Sequence, residues 1–110
     1  MLLKSEKEIK KGIAEKLLTI IPNGMVNMII RFEPFEFNDG YTVILNYTKP
    51  NGEISYYSED DIFNNENIDN AKNYVVNLLL NFRRSTQGTW ERCLVWVNKD
   101  GECDIDFVYW

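Results

Sequence analysis

Trp90-Glu91-Arg92-Cys93-Leu94-Val95-Trp96-Val97, then Asn98-Lys99-Asp100-Gly101-Glu102, then Cys103-Asp104-Ile105-Asp106-Phe107-Val108-Tyr109-Trp110: these residues read as two strands and the turn that joins them. Asp-Gly is a strong hairpin signal, because both central residues of a type I′ turn need positive φ and these two tolerate it. With Asp100-Gly101 as a two-residue loop, Lys99 faces Glu102, Val97 faces Asp104, Val95 faces Asp106 and Leu94 faces Phe107. Alternation then puts Leu94, Trp96, Cys103, Ile105, Phe107 and Tyr109 on one apolar side, the expected core face. Glu91, Cys93, Val95, Val97, Asp104, Asp106, Val108 and Trp110 stand on the other. Acidic groups set among apolar ones suit recognition of a protein better than plain solvation.

Working outward from the hairpin, a helical stripe precedes it: Ala71, Val75, Leu78, Leu79 and Phe82, widened by Tyr74, Val76 and Leu80. This helix is expected to end at Arg83-Arg84 or Ser85, where cations suit the C-terminal dipole, and Thr86-Gln87-Gly88 leads onward. Before it, Glu59 to Asn67 reads as a loop with one helical turn pinned by Ile62 and Phe63. Ile54 to Ser58 and Tyr41 to Tyr47 alternate as strands about a Pro50-Asn51-Gly52 turn, with Asn38-Asp39-Gly40 ahead of them. Met25 to Phe32 is apolar enough for a strand that is central or covered on both faces, and Pro34 ends its regular pairing. At the start, Ser5 and Glu8 have capping-box spacing, and Ile9, Ile13, Leu17, Ile20 and Ile21 repeat helically until Pro22-Asn23-Gly24. The order is α-β-β-β-α-β-β. Short turns favour antiparallel pairing, so residues 1–110 are expected to form one α+β domain, a mostly antiparallel sheet with the helices packed on one face.

Composition narrows the function. The chain has 110 residues, 45% hydrophobic and 26% charged, ordinary globular values. Its net charge of −5, with no run of Lys and Arg, argues against direct nucleic-acid binding and leaves basic proteins as partners. No signal-peptide core and no eighteen-residue apolar run is present, so a cytoplasmic location away from membranes is expected. Cys93 and Cys103 fall on opposite faces in the register above, which predicts two reduced thiols.

Histidine is absent, which removes the commonest general base and the favoured zinc ligand together. Catalysis would have to rest on carboxylates. Asp104 and Asp106 project from one face about 7 Å apart and, with Glu91 or Glu102, are the best set for a hard cation, but hydrolytic metal sites assemble more carboxylates than this. No catalytic residue, metal or cofactor is therefore assigned. Glu59-Asp60-Asp61, followed by Glu66 and Asp69, is a second acidic cluster. It reads either as a solvated helix start or as an imitation of the phosphates that a basic cleft would hold. Trp110, on the mixed face, is the aromatic expected to serve as an exposed anchor.

A Trp, a strand, Asp100-Gly101 and then Asp104-Ile105-Asp106-Phe107-Val108-Tyr109 resembles the C-terminal signature of the YezG/EsaG-like immunity proteins, small bacterial antitoxins that neutralise secreted nuclease toxins. Tyr41 to Tyr47, Pro50-Asn51-Gly52, Tyr56-Tyr57-Ser58 and Glu59-Asp60-Asp61-Ile62-Phe63 follow that family's order, ahead of a long helix. The chain departs from the pattern at Val108, where an acidic residue is frequent, and in its charge-poor second helix. The resemblance implies a non-enzymatic protein that binds a cognate toxin and blocks its active site or its substrate surface; delivery by a contact-dependent or a type VII-like system fits equally. It carries over no binding residue. The candidates are therefore those read from the chain: Glu59, Asp60, Asp61, Asp104, Asp106 and Trp110. Rival readings are a carboxylate- or metal-dependent hydrolase and a small protein-binding adaptor.

Overall fold

The final hairpin forms one residue away from the expected register. The computed structural model describes residues 6–34, 40–85 and 90–109, with no side chain described for Ser85; Ser5, Asn38-Asp39, Thr86-Gln87-Gly88 and Trp110 lie outside them. Its elements are α1 (Glu6–Leu17), β1 (Asn27–Pro34), β2 (Tyr41–Thr48), β3 (Ile54–Tyr56), α2 (Glu59–Phe63), α3 (Glu66–Ser85), β4 (Trp90–Asn98) and β5 (Cys103–Tyr109). Val97 pairs with Cys103, Trp96 with Asp104, Val95 with Ile105, Leu94 with Asp106 and Cys93 with Phe107.

The cause is a loop of three residues where two were expected. The Asn98 N–H donates to the Glu102 carbonyl and the Gly101 N–H to the Asn98 carbonyl, both at 3.0 Å, and Gly101 takes a left-handed φ of +87°. Asp-Gly serves this turn-plus-bulge as well as a type I′ turn. Asn98 favours the longer form, since its Oδ1 accepts from the N–H groups of Asp100 and Glu102, each at 3.0 Å. β2 and β3 are joined the same way: Lys49 N–H donates to the Glu53 carbonyl at 2.8 Å, Gly52 N–H to the Lys49 carbonyl at 2.9 Å, and Gly52 has φ +88°.

A slip of one residue exchanges the two faces of a strand relative to its partner. Cys93, Val95 and Val97, expected on the mixed face, are 1%, 0% and 1% exposed in the core. Leu94 and Trp96, expected inside, face the other way, and Tyr109 is 60% exposed. Asp104, Asp106 and Val108 keep their expected side. Cys93 and Cys103 share the core face rather than opposing each other, but stand four ladder positions apart, about 13 Å. They remain free thiols.

All five strands pair antiparallel in the order β3-β2-β1-β4-β5, so β1 is central. Its alternation is clean: Met28, Ile30 and Phe32 are buried, while Ile29 is half-buried and Arg31 and Glu33 exposed. The inward residues meet Ile9, Ile13 and Leu17 of α1 and Ala71, Val75 and Leu79 of α3 in one core. Trp90 closes one end, with ring centroids 6.2 Å from Phe32 and 5.2 Å from Phe107, and Phe107 stacks on Phe82 at 5.4 Å. Arg83, in the last turn of α3, donates from Nε to the Trp90 carbonyl at 3.0 Å, tying the helix end to the hairpin. The Tyr57 hydroxyl donates to the Ile20 carbonyl at 2.6 Å and ties the exit of β3 to the end of α1.

The segment expected to be a loop is more ordered than its composition suggests. Ser58 caps α2 in a complete capping box: the Asp61 N–H donates to Ser58 Oγ at 3.1 Å, and the Ser58 N–H donates to Asp61 Oδ2 at 2.9 Å. Asn65 then caps α3, its Oδ1 accepting from Asn67 and Ile68 at 3.1 and 3.3 Å. The order is thus α-β-β-β-α-α-β-β. Of the two residues expected to pin this segment, Ile62 packs against the core, whereas Phe63 is 86% exposed.

Candidate functional site

Both long helices cover the same face of the sheet, and among the described residues no element lies over the other. Cross-strand pairing assembles that open face in rows. One row runs Tyr56, Asn46, Ile29, Trp96, Asp104 from the β3 edge to the β5 edge; the next runs Ile44, Arg31, Leu94, Asp106. Beyond these, Thr42 opposes Glu33, and Arg92 opposes Val108. The middle of the face is apolar, with Ile44 40% and Leu94 36% exposed and Ile29 and Trp96 half-buried beside them. Sheet twist hollows it into a dish of about 330 Å³ lined by Arg31, Glu33, Thr42, Ile44, Arg92 and Leu94 among others. Arg31 and Arg92 form no ion pair among the described residues.

Asp104 and Asp106 stand on β5 at one edge of this face, both exposed. Asp104 is 3.4 Å from Lys10 Nζ on α1, and that ammonium is also 3.8 Å from Glu6. Such an exposed pair contributes under about 1 kcal/mol, so Asp104 stays available to a partner. Asp106 has no cation among the described residues. Neither do Glu91 and Glu102 complete a carboxylate set with them: among the described residues no group of three or more acidic or cysteine side chains is placed to hold a metal ion. The two cysteines are poor nucleophiles, because burial pushes the Cys93 thiol up to about 12 and Cys103 to about 11.

The second acidic cluster is at the opposite edge. Glu59, Asp60 and Asp61 form the first turn of α2, which follows β3, with three or more strand spacings, roughly 14 Å or more, between it and β5. Hydrogen bonds from the Ser58 backbone and side chain hold the Asp61 carboxyl below its usual range. Asp61 is therefore a structural cap, and Glu59 and Asp60 are the carboxylates with no cation among the described residues. Phe63 projects beside them over a groove of about 450 Å³ that Tyr41, Ile62 and Lys72 also line. The structure thus separates the two expected clusters. Trp110, the expected anchor, lies outside the described residues.

Arg31 and Arg92 are not among the candidates read from the sequence, and Trp96 and Phe63 were expected to be core and pinning residues instead. An Arg alternating outward from an otherwise apolar strand was the available signal for the first. The loop length hid the exposure of Trp96.

The model of the family described as "Immunity protein YezG-like" matches residues 7–110. No curated protein matches the chain. None of the described helices is long and apolar enough to cross a membrane.

Proposed function

Because this chain belongs to the YezG-like immunity protein family, we propose that it is an antitoxin that binds a cognate secreted toxin in the cytoplasm and neutralises it by occupancy, without catalysis. The toxin is a nuclease domain, and the immunity protein covers its active site or the surface that holds nucleic acid. What supports the nuclease is the distribution of charge. A net −5 chain carries Glu59 and Asp60 on α2 and Asp106 on β5 with no cation to neutralise them among the described residues. Carboxylates left unpaired at two edges oppose a cleft built to attract phosphates, and they accelerate encounter with it.

The functional test is co-expression. Cells producing this protein should survive the C-terminal domain of the toxin encoded beside it and should die when an unrelated nuclease toxin is expressed instead, since charge and shape set the discrimination. Loss of viability with the neighbouring toxin, at matched expression of a folded immunity protein, would remove the reading.

A further inference from the structure

The geometry points to the helix-free face as the docking surface, with the dish between Arg31 and Arg92 receiving a carboxylate side chain of the toxin. This rests on the immunity reading and names the surface that carries it. An antiparallel sheet with one face in water ordinarily turns polar residues outward. Here Ile44, Ile29, Leu94 and Trp96 turn apolar side chains outward from β2, β1 and β4 around Arg31. None of the five strands contains a lysine, whereas two of the chain's four arginines lie on this face. Aromatic and arginine residues without lysine are the composition of interface centres, not of solvated faces.

The two arginines sit diagonally across the β1–β4 pair, about 7 Å apart at their stems, so both guanidinium groups reach a single carboxylate placed in the dish. Glu33 on the same rim leaves the dish net positive, and β5 presents Asp104 and Asp106 to one side of it. The fitting partner therefore carries a carboxylate within an apolar patch and cations toward the β5 side. A second copy of this chain fits poorly. A two-fold contact centred on the dish would bring the arginines onto their own copies.

The test uses the nuclease-inactivated toxin domain encoded beside the chain, the same domain as in the co-expression experiment, with surface-plasmon kinetics. Arg31→Glu with Arg92→Glu should weaken binding at least about thirtyfold, mainly by faster dissociation. Arg31→Gln with Arg92→Gln provides a milder pair should the reversal disturb folding, and Leu94→Asp should weaken binding without altering either arginine. If the wild type binds and the folded variants bind equally well, the docking face is elsewhere and the immunity reading stands. If the wild type does not bind, the immunity reading falls and takes this inference with it. Sedimentation showing a dimer that Leu94→Asp dissociates would assign the face to a second copy. A DNA duplex that binds the wild type and not the arginine variants would make the dish a phosphate site. Either result overturns the proposal.

Discussion

Making the same substitution at three valines tests the register on which the open face depends. Val→Thr keeps shape and exchanges a methyl for a hydroxyl, so its cost reports whether a site is dry. Val95 and Val97 are 0% and 1% exposed beneath the helices, while Val108 is half-buried on the opposite face. A hydroxyl buried without a partner costs about 1–3 kcal/mol. Val95→Thr should therefore cost about 2 kcal/mol, and adding Val97→Thr should bring the total to about 4, whereas Val108→Thr should stay within about 0.5. Against a total stability of about 5–15 kcal/mol, the double variant loses a large share of its margin. Each single core variant should melt roughly 10 °C lower. Urea and thermal unfolding followed by far-UV circular dichroism measure all three. A two-residue loop would put these valines on one face, so equal costs, or a greater cost at Val108, would refute the register argued from the Asn98 loop.

Stability should also fall at high pH. Burial holds the Cys93 pKa at about 12, above its ordinary 9.0, so the unfolded chain releases this proton first; its contribution is intact below about pH 9 and is lost toward 12, at up to about 1.4 kcal/mol per unit. Cys93→Ala should flatten the alkaline limb of a urea-unfolding series, and an unchanged slope would contradict the assignment. On α2, Glu59→Lys with Asp60→Lys should slow toxin association and weaken its salt dependence in protein that thermal melts show to be folded; unaltered association rates would place steering elsewhere. Ser58→Ala should instead loosen the helix by about 1 kcal/mol, read as faster amide exchange at Asp61 and Ile62. Because the Asp61 carboxyl is held below its ordinary 3.8, the native cap should persist above that pH and fail as pH drops beneath it.

Periodicity carried most of the architecture. The stripes Ile9-Ile13-Leu17 and Ala71-Val75-Leu79 named the core faces of both long helices, and the apolar run around Ile30 named the central strand. What it did not carry was a count of loop residues. Asp100-Gly101 is compatible with two turns, and the choice rests on whether Asn98 Oδ1 can reach two amides, a matter of geometry that no pattern of residue types expresses. That single ambiguity moved Trp96 and Leu94 from the expected core to the candidate surface. α2 was obscured for a related reason: Asp and Asn favour loops and caps alike, and only the reciprocal Ser58–Asp61 bonds separate one outcome from the other. The acidic candidates at residues 59–61 and 104–106 were visible as composition, but their distance across the sheet follows from strand order, which local signals leave open.

That strand order has a consequence for synthesis. β1 lies between β2, which is made directly after it, and β4, which follows only when α2 and α3 have been completed. At about 5–20 residues per second, one side of Met28-Ile29-Ile30-Arg31-Phe32 waits roughly three to fourteen seconds for its partner on the ribosome. During that interval it is an unprotected edge of high β-propensity, interrupted by one charge at Arg31. An arginine there discourages pairing between nascent chains as well as offering a guanidinium to the folded surface, so one side chain acts at two different moments in the life of the molecule.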